Sequence, residues 1–329
     1  MTELLKEHLK KYPKMQPQDG VKLLFQANFG GAHLISDKEK CLAAIEKEWS
    51  GKQNIPRFEN LGENYVRANI NAFEKNELPL LCELFVNGAK PVKNTDSLDL
   101  TSVKEFFEDG EAFLSVYLKE GIRPVSHSEI YRQEYKPAYR VIPKKYADYW
   151  DILWKIYSDA PAVIAIDGRA GSGKTTLANI ISEIFECDIV RADDFFLPPA
   201  LRTTERLSEP GGNIHYERLK EQVIDKLGGE FEYDVFDCSV MSLNGKRKIN
   251  SKRMCVIEGS YSMHPCFGKY YDMGVFVTGD SALQRSRILL RNGEQMLKMF
   301  KEKWIPMEEK YISHYEVDKL PEIVIVSPK

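Results

Sequence analysis

Between two apolar stretches of the chain lies Gly168-Arg169-Ala170-Gly171-Ser172-Gly173-Lys174-Thr175, which matches the pattern G-x-x-x-x-G-K-[ST]. Residues 162–166, just before it, form a short apolar and partly β-branched run that is typical of a buried parallel strand. Residues 177–185, just after it, carry apolar side chains at helical spacing. Strand, glycine loop and helix occur in the order of a phosphate-binding P-loop. We therefore interpret the stretch as a P-loop rather than as a glycine-rich turn that matches by chance.

The predicted P-loop would bind nucleotide phosphates mainly through its backbone. Its glycines let several N–H groups point at one phosphate, and the N-terminus of the following helix adds partial positive charge. Lys174 can reach the β and γ phosphates, and the hydroxyl of Thr175 can reach Mg²⁺. The residues predicted to bind ATP are Gly168, Ala170, Gly171, Ser172, Gly173, Lys174, Thr175 and Thr176.

Length and composition limit the class of protein. The 329 residues favour two domains, and 43% hydrophobic and 29% charged residues are ordinary for a globular protein. A net charge of −3 gives no electrostatic reason to expect a nucleic-acid partner. The six cysteines include no C-x-x-C pair, which argues against a zinc site and favours a reducing cytoplasm. There is no signal-peptide pattern and no apolar run near the ~18 residues of a membrane span, so we expect a cytoplasmic protein without a membrane partner.

The N-terminal half is predicted to be mostly α-helical, with no catalytic motif. Helices are predicted over residues 37–49, 65–73, 78–85 and 103–118, the last with Thr101 or Ser102 as its N-cap. An amphipathic helix over 146–157 leads into the P-loop strand. The domain boundary is therefore predicted near residue 145, which gives domains 1–145 and 146–329.

Two patches of this half are open to a functional interpretation. Phe29-Gly30-Gly31-Ala32-His33 could form a backbone nest for an anion, but a loop between helices is favoured. Residues 127–140 mix aromatic and basic side chains, among them His127 and Tyr131. Such a mixture suits a ligand-facing surface or an interdomain contact, and we favour the contact.

Acidic residues follow two predicted strands of the C-terminal half. Residues 187–191 read as a strand that runs directly into Asp193 and Asp194. Ligands of open α/β sheets bind beyond the carboxyl ends of the strands, so one of these adjacent carboxylates is expected to face the phosphates. Residues 254–259 are an apolar strand that ends at Glu258, which is the form of a Walker B segment whose acid holds Mg²⁺.

Two further segments could contact an anionic substrate. Residues 197–216 form a long loop rich in Pro, Gly and Arg, which is typical of a binding loop. Its arginines either bind an anion or are surface charges, and its candidate substrate-binding residues are Arg202, Arg206, His215 and Tyr216. Arg287 and Arg291 share one face of a helix predicted over 281–291, where they could neutralise charge on a transferring phosphoryl group.

The remaining strands complete the predicted fold class. Residues 232–249 alternate like a β-hairpin that turns at Asn244-Gly245, and the basic residues 246–248, 252 and 253 read as its solvated edge. Residues 271–277 and 322–326 add two core strands. The C-terminal half is therefore predicted to be an α/β domain with about five parallel strands in a doubly wound sheet.

Taken together, these motifs resemble the uridine kinase-like group of P-loop kinases, which includes phosphoribulokinase and bacterial-type pantothenate kinase. The resemblance covers residues from about 160 to the end and rests on the P-loop, Asp193-Asp194-Phe195-Phe196, Val256-Ile257-Glu258-Gly259 and the arginine helix. It implies a P-loop NTPase fold with Asp193 as general base on a substrate hydroxyl and close to Mg²⁺. It also implies that Glu258 is the acid of the later strand.

The sequence thus predicts an ATP- and Mg²⁺-dependent kinase. Lys174, Arg287 and Arg291 would neutralise charge, while Thr175, Asp193 and Glu258 would hold the metal. The acceptor would be a hydroxyl of a small molecule such as a nucleoside, a sugar or a pantothenate-like alcohol, and a homo-oligomer is possible. The alternative is a nucleotide-dependent switch or slow NTPase whose N-terminal domain binds a protein partner.

Overall fold

A computed structural model describes residues 1–31, 37–89, 92, 94–95, 98–250 and 254–327. Within these residues the chain divides into two compact units, Met1–Tyr157 and Ser158–Lys329. Each unit has its own hydrophobic core, and each is described by itself. In the part of the chain that the structure describes, no helix has both the length and the apolar character needed to cross a bilayer.

The first unit contains most of its regular structure as helices. The helices found among its described residues are α1 (Thr2–Lys11), α2 (Pro17–Phe29), α3 (Lys38–Glu48), α4 (Leu78–Gly88), α5 (Thr101–Phe106), α6 (Gly110–Tyr117), α7 (Glu129–Tyr135), α8 (Lys144–Asp148) and α9 (Trp150–Asp159). Helices α3 and α4 lie where the sequence predicts helices over 37–49 and 78–85. Helix α9 runs into the second unit at its C-terminus.

The first unit also contains a sheet that the sequence pattern does not predict. Strands β1 (Phe58–Asn60), β2 (Tyr65–Asn69) and β3 (Tyr139–Pro143) pair antiparallel in the order β1-β2-β3. The helix predicted over 65–73 is therefore wrong. The strand has only five residues, and its three central residues are all buried, including the polar Arg67, so it is too short for its pattern to be told from that of a helix.

The helix predicted over 103–118 is interrupted. Helix α5 ends at Phe106 and α6 begins at Gly110, where a Cβ atom would lie 2.2 Å from the carbonyl oxygen of Val103. This close approach needs glycine and sets the two helices apart. Neither Thr101 nor Ser102 is the N-cap, because Leu100 precedes the first helical residue and no side chain caps it.

The aromatic and basic patch predicted over 127–140 lies partly inside the first unit. His127 donates from Nδ1 to Asp19, 2.9 Å away, and its ring stacks on Tyr131 at 4.1 Å between centroids. Both His127 and Tyr131 are buried, and the interdomain contact favoured for this patch stays a prediction. Of the glycine-rich patch, Gly30 ends α2, whereas Ala32 and His33 lie outside the described residues.

The second unit is built on a parallel sheet of five strands. Its described strands are β4 (Val163–Gly168), β5 (Cys187–Arg191), β6 (Phe231–Asp237), β7 (Ser242–Ile249), β8 (Met254–Glu258), β9 (Met273–Thr278) and β10 (Ile323–Val326). The five-stranded sheet has the order β10-β9-β4-β8-β5, and all its pairs are parallel. Its described helices are α10 (Lys174–Ile184), α11 (Thr204–Ser208), α12 (Tyr216–Gln222), α13 (Ser281–Met299) and α14 (Ile305–Tyr315). The predicted parallel α/β sheet is thus confirmed.

Strands β6 and β7 form the predicted hairpin, but its turn is not at Asn244-Gly245. The chain turns over residues 238–241, and Asn244-Gly245 lies inside β7. There the register shifts between Asp234 and Phe236, and Gly245 has φ +97°. At this point two residues of β7 face one residue of β6, and one of the two is a glycine with positive φ. This is the geometry of a β-bulge, which favours the same dipeptide as a tight turn. The basic residues Lys252 and Arg253 lie outside the described residues.

Buried histidines make the stability of the first unit depend on pH. Burial lowers the pKa of His8 and of His127 from 6.5 to about 4. The unfolded chain then binds protons at a higher pH than the folded chain. The free energy of unfolding is therefore undiminished by these histidines above pH 6.5 and falls as the pH drops towards 4. At pH 4 each histidine should lower the free energy of unfolding by about 3 kcal/mol relative to its value above pH 6.5.

We predict that His127→Asn reduces the slope of unfolding free energy against pH between 6.5 and 4. The measurement is urea denaturation of the full chain at a series of pH values. His314→Asn, which changes an exposed side chain, is the control and should leave the slope unchanged. An unchanged slope in His127→Asn would contradict the buried neutral imidazole.

Candidate active site

The P-loop follows directly from the central strand of the parallel sheet. Gly168 ends β4 with φ +140°, and a Cβ atom there would lie 2.0 Å from the carbonyl oxygen of Val277 on β9. Gly171 and Gly173 also have positive φ, +67° and +100°. Helix α10 begins at Lys174, so its first N–H groups face the loop. The backbone thus forms the cradle that a phosphate group fits.

The ammonium group of Lys174 lies inside this loop. It donates to the carbonyl oxygens of Gly168 at 2.7 Å and Arg169 at 2.9 Å, and to Ser260 Oγ at 3.1 Å. These three acceptors use all three of its N–H groups. The hydroxyl of Ser172, in contrast, is buried without a partner among the described residues. Lysine and hydroxyl are both at the place where the predicted phosphates would bind.

Glu258 lies beside the start of α10, as the Walker B interpretation requires. Parallel pairing puts Glu258 level with Ile166 on β4 and with Arg191 on β5. The hydroxyl of Thr175 lies 3.2 and 3.3 Å from its two carboxylate oxygens. Burial, and next the charge of Asp193, raise the pKa of Glu258 above its ordinary value.

This donor set fits Mg²⁺. Magnesium is usually held by one or two carboxylates, waters and substrate phosphates rather than by a cage of protein ligands. Two carboxylates and a hydroxyl next to a phosphate cradle match that description. Among the described residues there is no group of three or more His, Cys, Asp or Glu side chains that could hold a metal by itself.

The two adjacent aspartates have different surroundings. Asp194 is buried, and its Oδ2 accepts from Tyr233 Oη at 3.0 Å and lies 3.0 Å from Arg247 Nε. Asp193 is exposed, two residues beyond the Arg191 position that pairs with Glu258. Asp194 therefore anchors the β6–β7 hairpin, and Asp193 is the carboxylate left at the carboxyl edge of the sheet.

The arginines of the 197–216 loop also differ in their surroundings. Arg206 uses all five of its N–H groups on the carbonyls of Gly212 and Ile214, on the Tyr216 hydroxyl and on both oxygens of Glu217. The prediction that Arg206 and Tyr216 bind substrate does not fit this arrangement, because both side chains hold the loop together. The side chain of His215 caps the N-terminus of α12 by accepting a hydrogen bond from Arg218 N. Arg202 donates from Nε to Leu197 O and is exposed, so its outer nitrogens face solvent.

Arg287 and Arg291 of α13 both make hydrogen bonds outside the P-loop. Arg287 donates to Ser327 Oγ at 2.6 Å, and Arg291 donates to Asn292 at 2.9 Å. Gln284 and Ile288 of α13 approach Gly171, each with an atom 3.2 Å from the position of a Cβ on that glycine. Arg291 follows Gln284 by seven residues and so shares its face of the helix. The predicted role of the arginines therefore requires their side chains to move.

Sequence reasoning missed the acids that hold the first half of the P-loop. Asp167 accepts hydrogen bonds from Gly168 N, Tyr261 N, Met263 N and Tyr311 Oη. Glu308 accepts from Ala170 N at 2.7 Å, and Glu309 forms a bidentate pair with Arg169. No local pattern marks the glutamates, since 138 residues separate Glu308 from Ala170. The sign that the sequence offered for such an anchor was Asp167, an acid directly before the first P-loop glycine.

Comparisons with known proteins are distant. No protein-family model matches the chain, and no curated protein matches it. A solved structure described as a possible uridine kinase from Bacillus stearothermophilus is similar at 21% identity, with 54% of this chain and 98% of that chain covered and a TM-score of 0.42. A protein described as a fructose transport system kinase from Silicibacter is similar at 16% identity (50% and 88% covered, TM-score 0.39).

Deoxyadenosine kinase from M. mycoides, solved with dATP, is also 16% identical, with 50% and 89% covered and a TM-score of 0.22. All three TM-scores are low. The fold is therefore assigned from the molecule itself: a five-stranded parallel sheet with a P-loop between its central strand and α10 is an α/β P-loop NTPase fold.

We predict that Gly168→Ala destabilises the protein much more than Gly228→Ala. Both glycines have positive φ, but a Cβ at Gly228 would meet no atom within 4 Å. Backbone strain alone should cost about 1–2 kcal/mol at Gly228. Gly168→Ala must also displace the carbonyl of Val277, so its loss of unfolding free energy should be larger by about 2 kcal/mol or more. Equal losses in urea denaturation would contradict the close approach of β4 and β9.

Proposed function

We propose that the chain is an ATP- and Mg²⁺-dependent phosphotransferase that moves the γ-phosphate of a nucleotide to a hydroxyl of a small molecule. The observation that carries the proposal is the exposed carboxylate of Asp193 beside the Glu258 and Thr175 pair at the carboxyl edge of the sheet. A P-loop alone needs no free carboxylate at this place. A general base for a hydroxyl does.

The roles of the other residues follow from their positions. The backbone of 168–176 would cradle the phosphates, and Lys174 would turn from the loop carbonyls towards the β and γ phosphates. Thr175, Glu258 and Asp193 would hold Mg²⁺, which neutralises developing charge on the transferring group. Arg291, and with it Arg287, would reach the phosphates by a rearrangement of α13. The reaction then depends on positioning and electrostatics.

The acceptor site is proposed to lie between Asp193 and the 197–216 loop. Arg202 is the arginine of that loop whose outer nitrogens face solvent, so it is the better candidate for an anionic group on the acceptor. A nucleoside, a sugar or a pantothenate-like alcohol carries a suitable hydroxyl. The resemblance to uridine kinase-like kinases supports this range of acceptors.

The adjacent aspartates provide a matched test. Asp193→Asn should keep nucleotide binding and stability, because the side chain is exposed, but should lose phosphoryl transfer by about 10²-fold or more. Asp194→Asn removes the negative charge that pairs with Arg247 and should lower the unfolding free energy. Transfer is measured as ADP release with and without a panel of nucleosides, sugars and vitamin alcohols. Binding is measured by calorimetry with a non-hydrolysable ATP analogue.

Two results would argue against the proposal. Full transfer activity in Asp193→Asn would exclude this residue as the base. ADP release that no compound in the panel accelerates, combined with tight analogue binding, would favour a nucleotide-dependent switch or slow NTPase. In that case the first unit becomes the candidate for binding a protein partner.

A further inference from the structure

Three residues of α14 hold the first half of the P-loop. Tyr311 donates to Asp167, just before the loop, at 2.8 Å. Glu309 pairs with Arg169, and Glu308 accepts from the backbone N–H of Ala170. The pair of Glu309 is partly exposed, whereas Glu308 is only 4% exposed. Burying a carboxylate beside the loop is costly unless specific partners compensate it.

Glu308 is connected to the P-loop lysine through one hydroxyl group. Its Oε1 contacts Ser260 Oγ, and Ser260 Oγ accepts from the ammonium of Lys174 at 3.1 Å. A serine hydroxyl has one hydrogen and two lone pairs. When the hydrogen points at Glu308, the lone pairs face Lys174. Ser260 Oγ also lies 3.2 Å from Gly168 O, which can accept the same hydrogen, so the contact with Glu308 selects the orientation that leaves both lone pairs to the ammonium.

The same stretch of α14 also holds the loop that is proposed to close the acceptor site. Lys310 donates to Ser208 O at 2.5 Å. The ring of Tyr311 stacks on His264 with centroids 5.7 Å apart. His264 accepts from Cys266 N at Nδ1, so its Nε2 carries the hydrogen and donates to Pro210 O at 3.2 Å. Four consecutive residues thus contact both sides of the site.

We infer that Glu308 is a positioning residue for the reaction proposed above: it fixes the Ala170 N–H and, through Ser260, directs the ammonium of Lys174 to the terminal phosphate of the nucleotide. The inference rests on the proposed function. Glu308 itself does not need to touch the nucleotide. Its partner Ser260 contacts Lys174, which reaches the β and γ phosphates, so this contact acts where a triphosphate differs from a diphosphate.

The test measures that difference in the full-length chain. Calorimetry gives the dissociation constants of MgADP and of the magnesium complex of AMP-PNP, and their ratio is the preference for a triphosphate. Glu308→Ala and Ser260→Ala should each lower this preference about tenfold, the usual size of one hydrogen bond to a charged group. The double variant should lie within about twofold of either single variant, since both remove one chain of contacts.

Two further variants separate positioning from stability. Glu308→Gln keeps an oxygen for Ala170 N–H but turns an amide donor towards Ser260 Oγ, so the serine hydrogen can no longer point at residue 308 and the preference should fall about as far as in Glu308→Ala. Ser313→Ala, at an exposed position of the same helix, is the control and should leave the preference within about twofold of the original. Thermal unfolding of each variant shows whether a loss of preference is separate from a loss of stability.

The outcomes are distinguishable. A preference that stays within about twofold in Glu308→Ala or in Ser260→Ala overturns the inference, as do multiplied effects in the double variant. If Glu308→Ala fails to fold, Ser260→Ala and Glu308→Gln still decide the matter. If the original chain binds neither nucleotide, the proposed function fails and the inference with it. If it binds and transfers phosphate while Glu308→Ala is unchanged, the inference fails alone.

Discussion

The carboxylate of Asp167 is the contact on which the second unit depends most. It lies at the end of the central strand β4 and is 1% exposed. Its four donors come from the P-loop, from the segment after β8 and from α14. A buried carboxylate is tolerable when its oxygens are fully bonded, and removing one donor leaves the rest uncompensated. Asp167 therefore joins the phosphate cradle, the segment after β8 and α14 into one structure.

Around this centre, the surroundings of each acid determine what it can do. Asp194 is committed to Tyr233 and Arg247, and Asp167 to backbone N–H groups. Glu258 is buried beside Thr175 with a raised pKa, so a cation would stabilise its charged form. Asp193 alone of these four is exposed to solvent. A carboxylate thus serves as an anchor, as a candidate metal ligand or as a candidate base, depending on what surrounds it.

Part of this arrangement could be predicted from the sequence because its signals are local. The P-loop glycines, the strands β4, β5 and β8 and the acids at the ends of two of them are each recognised from a few consecutive residues. Strand β2 was missed because five residues are too few for a period of two to be distinguished from a helical period. The Asn244-Gly245 dipeptide was misread because a bulge and a tight turn make the same demand on the backbone. The contacts of Glu308 and Glu309 with the P-loop depend on tertiary packing and carry no local pattern.

The central claim is that the γ-phosphate leaves the nucleotide for a hydroxyl rather than for water. Mass spectrometry of a mixture that contains the protein, MgATP and a panel of nucleosides, sugars and vitamin alcohols follows that phosphate directly. We predict one phosphorylated member of the panel, formed in equal amount with ADP. ADP accompanied only by inorganic phosphate, with every member of the panel unchanged, would contradict the claim.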